Sequence, residues 1–75
     1  MNIYNQLMEI AAEVLEKPVD ELSPDLPIEE QGADSLHIAE ILLQVEDVFG
    51  IYVPDSVITE IRTLAELATW LEENG

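Results

Sequence analysis

The sequence predicts an all-α fold, a four-helix bundle of three main helices and one short helix with a long first loop. Three stretches repeat apolar residues at spacings of three and four, which is typical of amphipathic helices. Capping and turn residues bound these stretches, and no segment predicts a strand. A length of 75 residues fits a single domain, which we assign to residues 1–75.

The first helix is expected from about Ile3 to Glu16, with Asn2 as its N-cap. It should end before Pro18, because proline disfavours helical geometry at the residue that precedes it. The connection over residues 17–34 is longer than most connections between helices. Its apolar residues have no regular spacing, and we expect four of them to pin it to the bundle: Val19, Leu22, Leu26 and Ile28.

The second helix is expected from Ser35 to Phe49, with Asp34 or Ser35 as N-cap and Gly50 as a left-handed C-cap. At about 100° per residue, one broad apolar face is predicted to form the core. That face consists of Ile38, Ile41, Leu42, Val45, Val48 and Phe49. A second apolar stripe lies away from it and consists of Leu36, Ala39 and Leu43.

A short helix is expected from about Ser56 to Ile61, with Val57, Ile58 and Ile61 facing inward. A helix this short has little stability of its own, so it is the wall of the bundle that we expect to move. Thr63 and Glu66 have the spacing of a capping box, which starts the last helix. That helix should end near Glu73, and its inner stripe is Leu64, Leu67, Ala68 and Leu71.

Seventeen acidic residues against Lys17 and Arg62 give a net charge of −15 at pH 7. Such a charge excludes nucleic acid as a natural partner and disfavours anionic membranes. It favours proteins with basic patches as partners. The alternative is that the charge only keeps a small protein in solution. No apolar run approaches the roughly 18 residues of a membrane span. We therefore expect a cytoplasmic monomer that binds no membrane.

The sequence offers little catalytic chemistry. It has no cysteine, which excludes a disulfide framework and means that any thiol must be imported. One histidine without cysteine makes a transition-metal site improbable, and we expect no metal centre. Ser35 has no recognisable base, because the geometry of a helix directs His37 elsewhere. These observations predict a protein that is not an enzyme.

Ser35 is instead predicted to lie at a helix N-terminus, where free N–H groups and the helix dipole favour a phosphate on its hydroxyl. The second apolar stripe of the same helix is bordered by Glu40, Glu46 and Asp47. An apolar centre with an acidic rim indicates a docking surface. The alternative is that Leu36 and Leu43 pack under the long loop.

The segment Gly32-Ala33-Asp34-Ser35-Leu36 follows a long acidic loop and opens a helix that ends in Phe49-Gly50-Ile51. Val53-Pro54-Asp55 comes shortly afterwards. With these features the sequence resembles an acyl carrier protein over almost its whole length. The resemblance implies a four-helix bundle whose Asp-Ser-Leu serine receives phosphopantetheine from coenzyme A, through a separate transferase that uses Mg²⁺.

By this resemblance, Ser35 is the attachment site and Asp34 helps the transferase to place the metal. The second helix is the recognition helix, with Leu36, Ala39 and Leu43 as its apolar contacts. Glu40, Glu46 and Asp47 would meet Lys and Arg of the transferase and of acyl-transferring and synthase enzymes. An acyl chain, held as a thioester on the arm, would lie between the helices, where the residues implied as lining are Ile41, Leu42, Val45, Ile58, Ile61 and Leu67.

Two positions near the attachment site depart from the family pattern. His37 occupies a position that is often acidic in fatty-acid carriers, and Gln31 occupies one that is often leucine. Both could change which transferase or partner is accepted. The resemblance implies fatty-acid or polyketide-type synthesis. A peptidyl or aminoacyl carrier, and a small acidic interaction module without a cofactor, remain as alternatives.

The charge leads to a prediction about stability. Self-repulsion among the carboxylates should lower the melting temperature at low salt, and added salt or divalent cations should raise it by screening. Thermal denaturation over a range of ionic strengths measures this. A melting temperature that does not respond to ionic strength would count against the prediction.

Overall fold

A computed structural model describes residues 2–74 of the chain, and they form an all-α bundle as the sequence predicts. Its four helices are α1 (Ile3–Leu15), α2 (Ser35–Phe49), α3 (Asp55–Ile58) and α4 (Leu64–Asn74). The described residues contain no β-strand, and their one isolated bridge joins Pro27 to Thr63. None of these helices is long and apolar enough to cross a membrane.

The core is built around α1, which contacts both α2 and α4. The most deeply buried large side chains come from all three long helices, which shows that each contributes an apolar face. They are Leu7, Ile41, Val45, Leu64 and Leu71. The whole inner stripe predicted for α4 is buried. Trp70 is partly exposed and packs against the edge of this core.

Both ends of α1 are capped as the sequence pattern requires. The Asn2 side chain accepts a hydrogen bond from the Asn5 N–H at 2.7 Å. At the other end Glu16 is left-handed, with φ 56°, so the helix ends at Leu15 rather than at Glu16. The N–H of Lys17 donates to the Ala12 carbonyl at 3.0 Å, and that of Glu16 to the Glu13 carbonyl at 3.3 Å. This pair of bonds is a Schellman motif, in which a left-handed residue is required.

The long loop contains two short 3₁₀ turns, Val19–Glu21 and Ile28–Gln31. Leu22 and Ile28 are buried as expected, whereas Val19 and Leu26 are exposed, and for these two the expectation was wrong. Main-chain hydrogen bonds, rather than these two side chains, attach the loop to Arg62 and to Ala65 at the start of α4. The Ile28 N–H donates to the Arg62 carbonyl at 2.9 Å, and the Ala65 N–H donates to the Pro24 carbonyl at 3.0 Å.

The second helix has the predicted bounds, with Asp34 as its N-cap and Gly50 as a left-handed C-cap at φ 68°. Val48 was predicted to lie in the core but is 55% exposed. It stands at the edge of the apolar face, about 60° from its centre at 100° per residue, and in the last turn. A position at the edge of a stripe near a helix end can escape burial even when the spacing is correct.

The short helix is shorter than predicted and starts one residue earlier, at Asp55. The chain stays bonded to α3 beyond Ile58, since the Ile61 N–H donates to the Val57 carbonyl at 2.9 Å, and from Arg62 onward it forms the cap of α4. The Glu66 carboxylate accepts the N–H groups of Arg62 at 3.0 Å and Thr63 at 3.1 Å. The Thr63 hydroxyl accepts the Glu66 N–H at 3.1 Å, which completes the predicted capping box. The last helix ends at Asn74, one residue beyond the Glu73 at which it was expected to end, and Gly75 lies outside the described residues.

The left-handed C-cap of α1 gives a prediction. A non-glycine residue pays a steric cost at φ 56°, so Glu16→Gly should stabilise the fold by up to about 1 kcal/mol. Glu9→Gly removes the same charge from the exposed middle of α1 and should destabilise by about 1 kcal/mol. Urea denaturation of both variants measures the difference, and equal effects would contradict this account of the cap.

Candidate functional site

The candidate site is the start of α2, where two side chains cap the helix reciprocally. The Asp34 carboxylate accepts the His37 N–H at 3.0 Å. In return, Nδ1 of His37 accepts the Asp34 N–H at 3.2 Å. This is a capping box in which histidine takes the place that glutamate or glutamine usually holds. Sequence reasoning missed this role, because histidine is outside the usual capping pattern.

The capping box also sets the electrostatics of the site. The backbone N–H of His37 lowers the pKa of Asp34 below its ordinary value near 3.8, and the neighbouring imidazole adds to the effect. Nδ1 of His37 lies 3.0 Å from Oδ1 of Asp34. Asp34 is therefore a carboxylate that resists protonation, next to Ser35.

Ser35 is the first residue of α2 and is exposed. Its side chain makes no hydrogen bond within residues 2–74, whereas the ring of His37 is held by Asp34. The hydroxyl is therefore accessible, and no base in that part of the chain is seen to activate it. Across the same residues, no group of three or more His, Cys, Asp or Glu side chains could hold a metal ion.

The chain reaches Ser35 through a tightly held turn. Gln31 is buried, Gly32 is left-handed at φ 94°, and Ala33 is buried. Glycine suits this φ because a side chain there would be strained. The turn brings Asp34 and Ser35 from the interior to the surface within two residues.

The predicted docking stripe of α2 is exposed in the structure. Leu36 is 65% and Leu43 67% exposed, and Ala39 lies between them at the surface. This exposure excludes the alternative in which the loop covers the two leucines. The carboxyl-bearing residues predicted for its rim, Glu40, Glu46 and Asp47, are exposed as well.

Sequence analysis missed an apolar neighbour of this stripe, because Tyr52 lies in the link after α2, where periodicity gives no signal. Tyr52 is 65% exposed. With Leu43 it borders a surface groove of about 340 Å³ between α2 and α3. The apolar surface around the stripe is therefore wider than one helix face.

A second opening lies between α2 and α3, one turn beyond Ser35. A groove of about 330 Å³ is lined by Ile38 together with Ile28, Glu29, Ile58, Thr59, Ile61 and Arg62. Behind it is a small apolar chamber of about 20 Å³. Four of the six residues expected to line an acyl chain surround this chamber: Leu42, Ile58, Ile61 and Leu67. Ile41 and Val45 are fully buried and do not line it, and the sequence reasoning did not include Ile28, Ile38 and Val53.

A larger surface cavity, of about 550 Å³, lies elsewhere. It lies between α1 and the first 3₁₀ turn and is lined by residues such as Tyr4, Met8 and Val19. It includes none of the predicted site residues, so volume alone does not identify the functional site of this chain.

The chain matches a protein-family model described as "Phosphopantetheine attachment site" over residues 5–71. It is 35% identical to an acyl carrier protein of Rickettsia bellii (strain OSU 85-389), over 97% of this chain and 91% of that protein. It is 30% identical to acyl carrier proteins of Campylobacter hominis and Bdellovibrio bacteriovorus, which it covers to 92% and 97% of their lengths.

The chain belongs to the acyl carrier protein family. Members of this family are carriers rather than catalysts, and their cofactor is phosphopantetheine. The start of α2 fits such a group, because an exposed hydroxyl at a helix N-terminus can carry a phosphate near free N–H groups. In this family the group supplies a thiol, which the chain itself lacks.

The lowered pKa of Asp34 gives a prediction that isolates its charge. Asp34→Asn and Asp47→Asn each remove one carboxylate, but only the first removes it from the helix cap. At pH 7 the Asp34→Asn variant should therefore have the lower melting temperature. A depressed pKa adds stability above the unfolded value near 3.8, and this stability is lost as the pH falls through the folded value. Thermal denaturation against pH should show the two variants converging in acid, and a constant gap would contradict this.

Proposed function

We propose that this chain carries acyl intermediates as thioesters on phosphopantetheine attached to Ser35, in fatty-acid or polyketide-type biosynthesis. The observation that supports the proposal most directly is the exposed Ser35 hydroxyl at the capped start of α2. It lies within the Asp-Ser-Leu segment and within the residues matched by the family model. The named relatives are all acyl carrier proteins.

In this proposal the chain presents Ser35 and leaves its activation to the transferase. The serine hydroxyl gives its proton to a base of the transferase, and its oxygen bonds to the phosphorus that carries pantetheine. The phosphoanhydride P–O bond of coenzyme A breaks, and the nucleotide leaves as adenosine 3′,5′-bisphosphate. Asp34 supports this step as a carboxylate with a lowered pKa, which suits a hard cation such as Mg²⁺ held jointly with the transferase. The proposal requires that the transferase and coenzyme A reach the protein, so we propose the cytoplasm as its compartment.

The proposed partners dock on α2. Leu36, Ala39 and Leu43 would form the apolar centre of the contact, where burial gives affinity. Glu40, Glu46 and Asp47 would face basic side chains of the transferase and of synthase enzymes, which speeds encounter. The net charge of −15 supports this arrangement, because it attracts proteins with basic patches over a distance, before the two surfaces touch.

We propose the groove beside Ile38 as the entry for the acyl chain. The apolar chamber behind it holds about 20 Å³, which is too little for an acyl chain. The wall formed by α3 must therefore move outward when a chain enters. Its single helical turn makes this movement inexpensive, because α3 has few hydrogen bonds to lose.

The chain offers a matched control for testing the attachment site. Asp55-Ser56 is a second Asp-Ser pair, and Ser56 is exposed and lies at the start of α3. Incubation with coenzyme A, Mg²⁺ and a broad-specificity transferase should add one phosphopantetheine to the wild type and to Ser56→Ala. Ser35→Ala should gain no mass and keep its helical circular dichroism.

Intact mass spectrometry reads out this experiment. A folded wild-type protein that gains no phosphopantetheine would contradict the proposed function and favour an acidic interaction module. Loading of Ser35→Ala would contradict the assignment of the site.

A further inference from the structure

Gln31 is a buried polar side chain at a position where related carriers often have leucine. It is 8% exposed and, within residues 2–74, the one polar residue of the buried set. Its Oε1 accepts the Ser23 N–H at 2.7 Å. Its Nε2 donates to the Ser23 carbonyl at 2.7 Å and to the Leu26 carbonyl at 3.1 Å. Both N–H groups of the amide are therefore used.

These bonds close the long loop on itself. The amide of Gln31 pairs with both the N–H and the carbonyl of Ser23, as two backbones pair in a sheet. Residues 23–26 form a turn that is closed by the Leu26 N–H donating to the Ser23 carbonyl at 3.2 Å. The bond from the Gln31 amide to the Leu26 carbonyl holds the other end of this turn. An apolar residue at position 31 could fill the space but would remove the hydrogen bonds that the amide makes to the Ser23 N–H and the Leu26 carbonyl, and would leave the Ser23 carbonyl only its bond from the Leu26 N–H.

The backbone of Gln31 is held as well. Nζ of Lys17 donates to the Gln31 carbonyl at 2.6 Å, from just beyond the end of α1. Gly32 follows in its left-handed conformation, and a Cβ at this position would lie 3.6 Å from the same ammonium nitrogen. Residue 31 is thus fixed through side chain and main chain, four residues before Ser35.

We propose that Gln31, assisted by Lys17, is a positioning residue for the modification of Ser35. It holds the loop in the conformation from which Asp34 and Ser35 emerge, so that the transferase meets an ordered segment. This inference rests on the proposed function. Gln31 acts through the loop and does not itself touch the reacting atoms.

The role predicts a specific kinetic signature. Without the amide, the transferase must order the loop when it binds, and this cost weakens binding of the carrier. Because the cost falls equally on the bound substrate and on the transition state, it appears in KM and leaves kcat unchanged. Loss of one or two net hydrogen bonds corresponds to a rise in KM of about tenfold.

The experiment measures transferase kinetics on Gln31→Leu, which keeps the approximate size of the side chain and removes its hydrogen bonds. We expect KM to rise about tenfold with kcat retained. Hydrogen exchange at the Ser23 amide should accelerate in the same variant. Lys17→Met should raise KM in the same direction by a smaller factor, and it provides the test if Gln31→Leu does not fold.

Ile10→Val is the control for general destabilisation, since it loosens the buried face of α1 outside these contacts. It should lower the melting temperature and leave the loading KM unchanged. An unchanged KM in Gln31→Leu, or an equal rise in Ile10→Val, would overturn the positioning role while the wild type still loads. Failure of the wild type to load would instead remove the proposed function together with this inference.

Discussion

The reciprocal cap between Asp34 and His37 is the contact on which the site depends. It starts α2 at Ser35, and a start one residue earlier or later would turn the serine through about 100°. The cap also gives the histidine beside the serine a structural role. Nδ1 of His37 accepts the Asp34 N–H, which ties the ring to the start of the helix.

The other helices and the long loop hold the start of α2 in place. α1 packs against α2 and α4 and supplies much of the core. Main-chain hydrogen bonds join the loop to Arg62 and to Ala65 at the start of α4, and the amide of Gln31 closes the loop. In contrast, the side of the bundle at α3 has a single helical turn, four residues long. The structure thus combines a fixed site with one weakly held wall.

Local signals were sufficient where they were strong, and α2 is the clearest example. The caps Asp34 and Gly50 lie directly next to its first and last residues, so its bounds follow from the sequence. Contacts across the chain were not predictable in this way. The cap of α4 includes the N–H of Arg62, which donates to the Glu66 carboxylate, and the burial of Gln31 depends on the turn at Ser23. The exposure of Val48 depends on where neighbouring elements end, which periodicity does not encode.

The most direct measurement of the central claim is peptide-level mass spectrometry of the protein isolated from its own cells. The account predicts a phosphodiester-linked pantetheine on Ser35, with any acyl cargo attached to the thiol of that group. The same group on another residue would contradict the account. So would an unmodified Ser35 in cells whose transferase modifies other carriers.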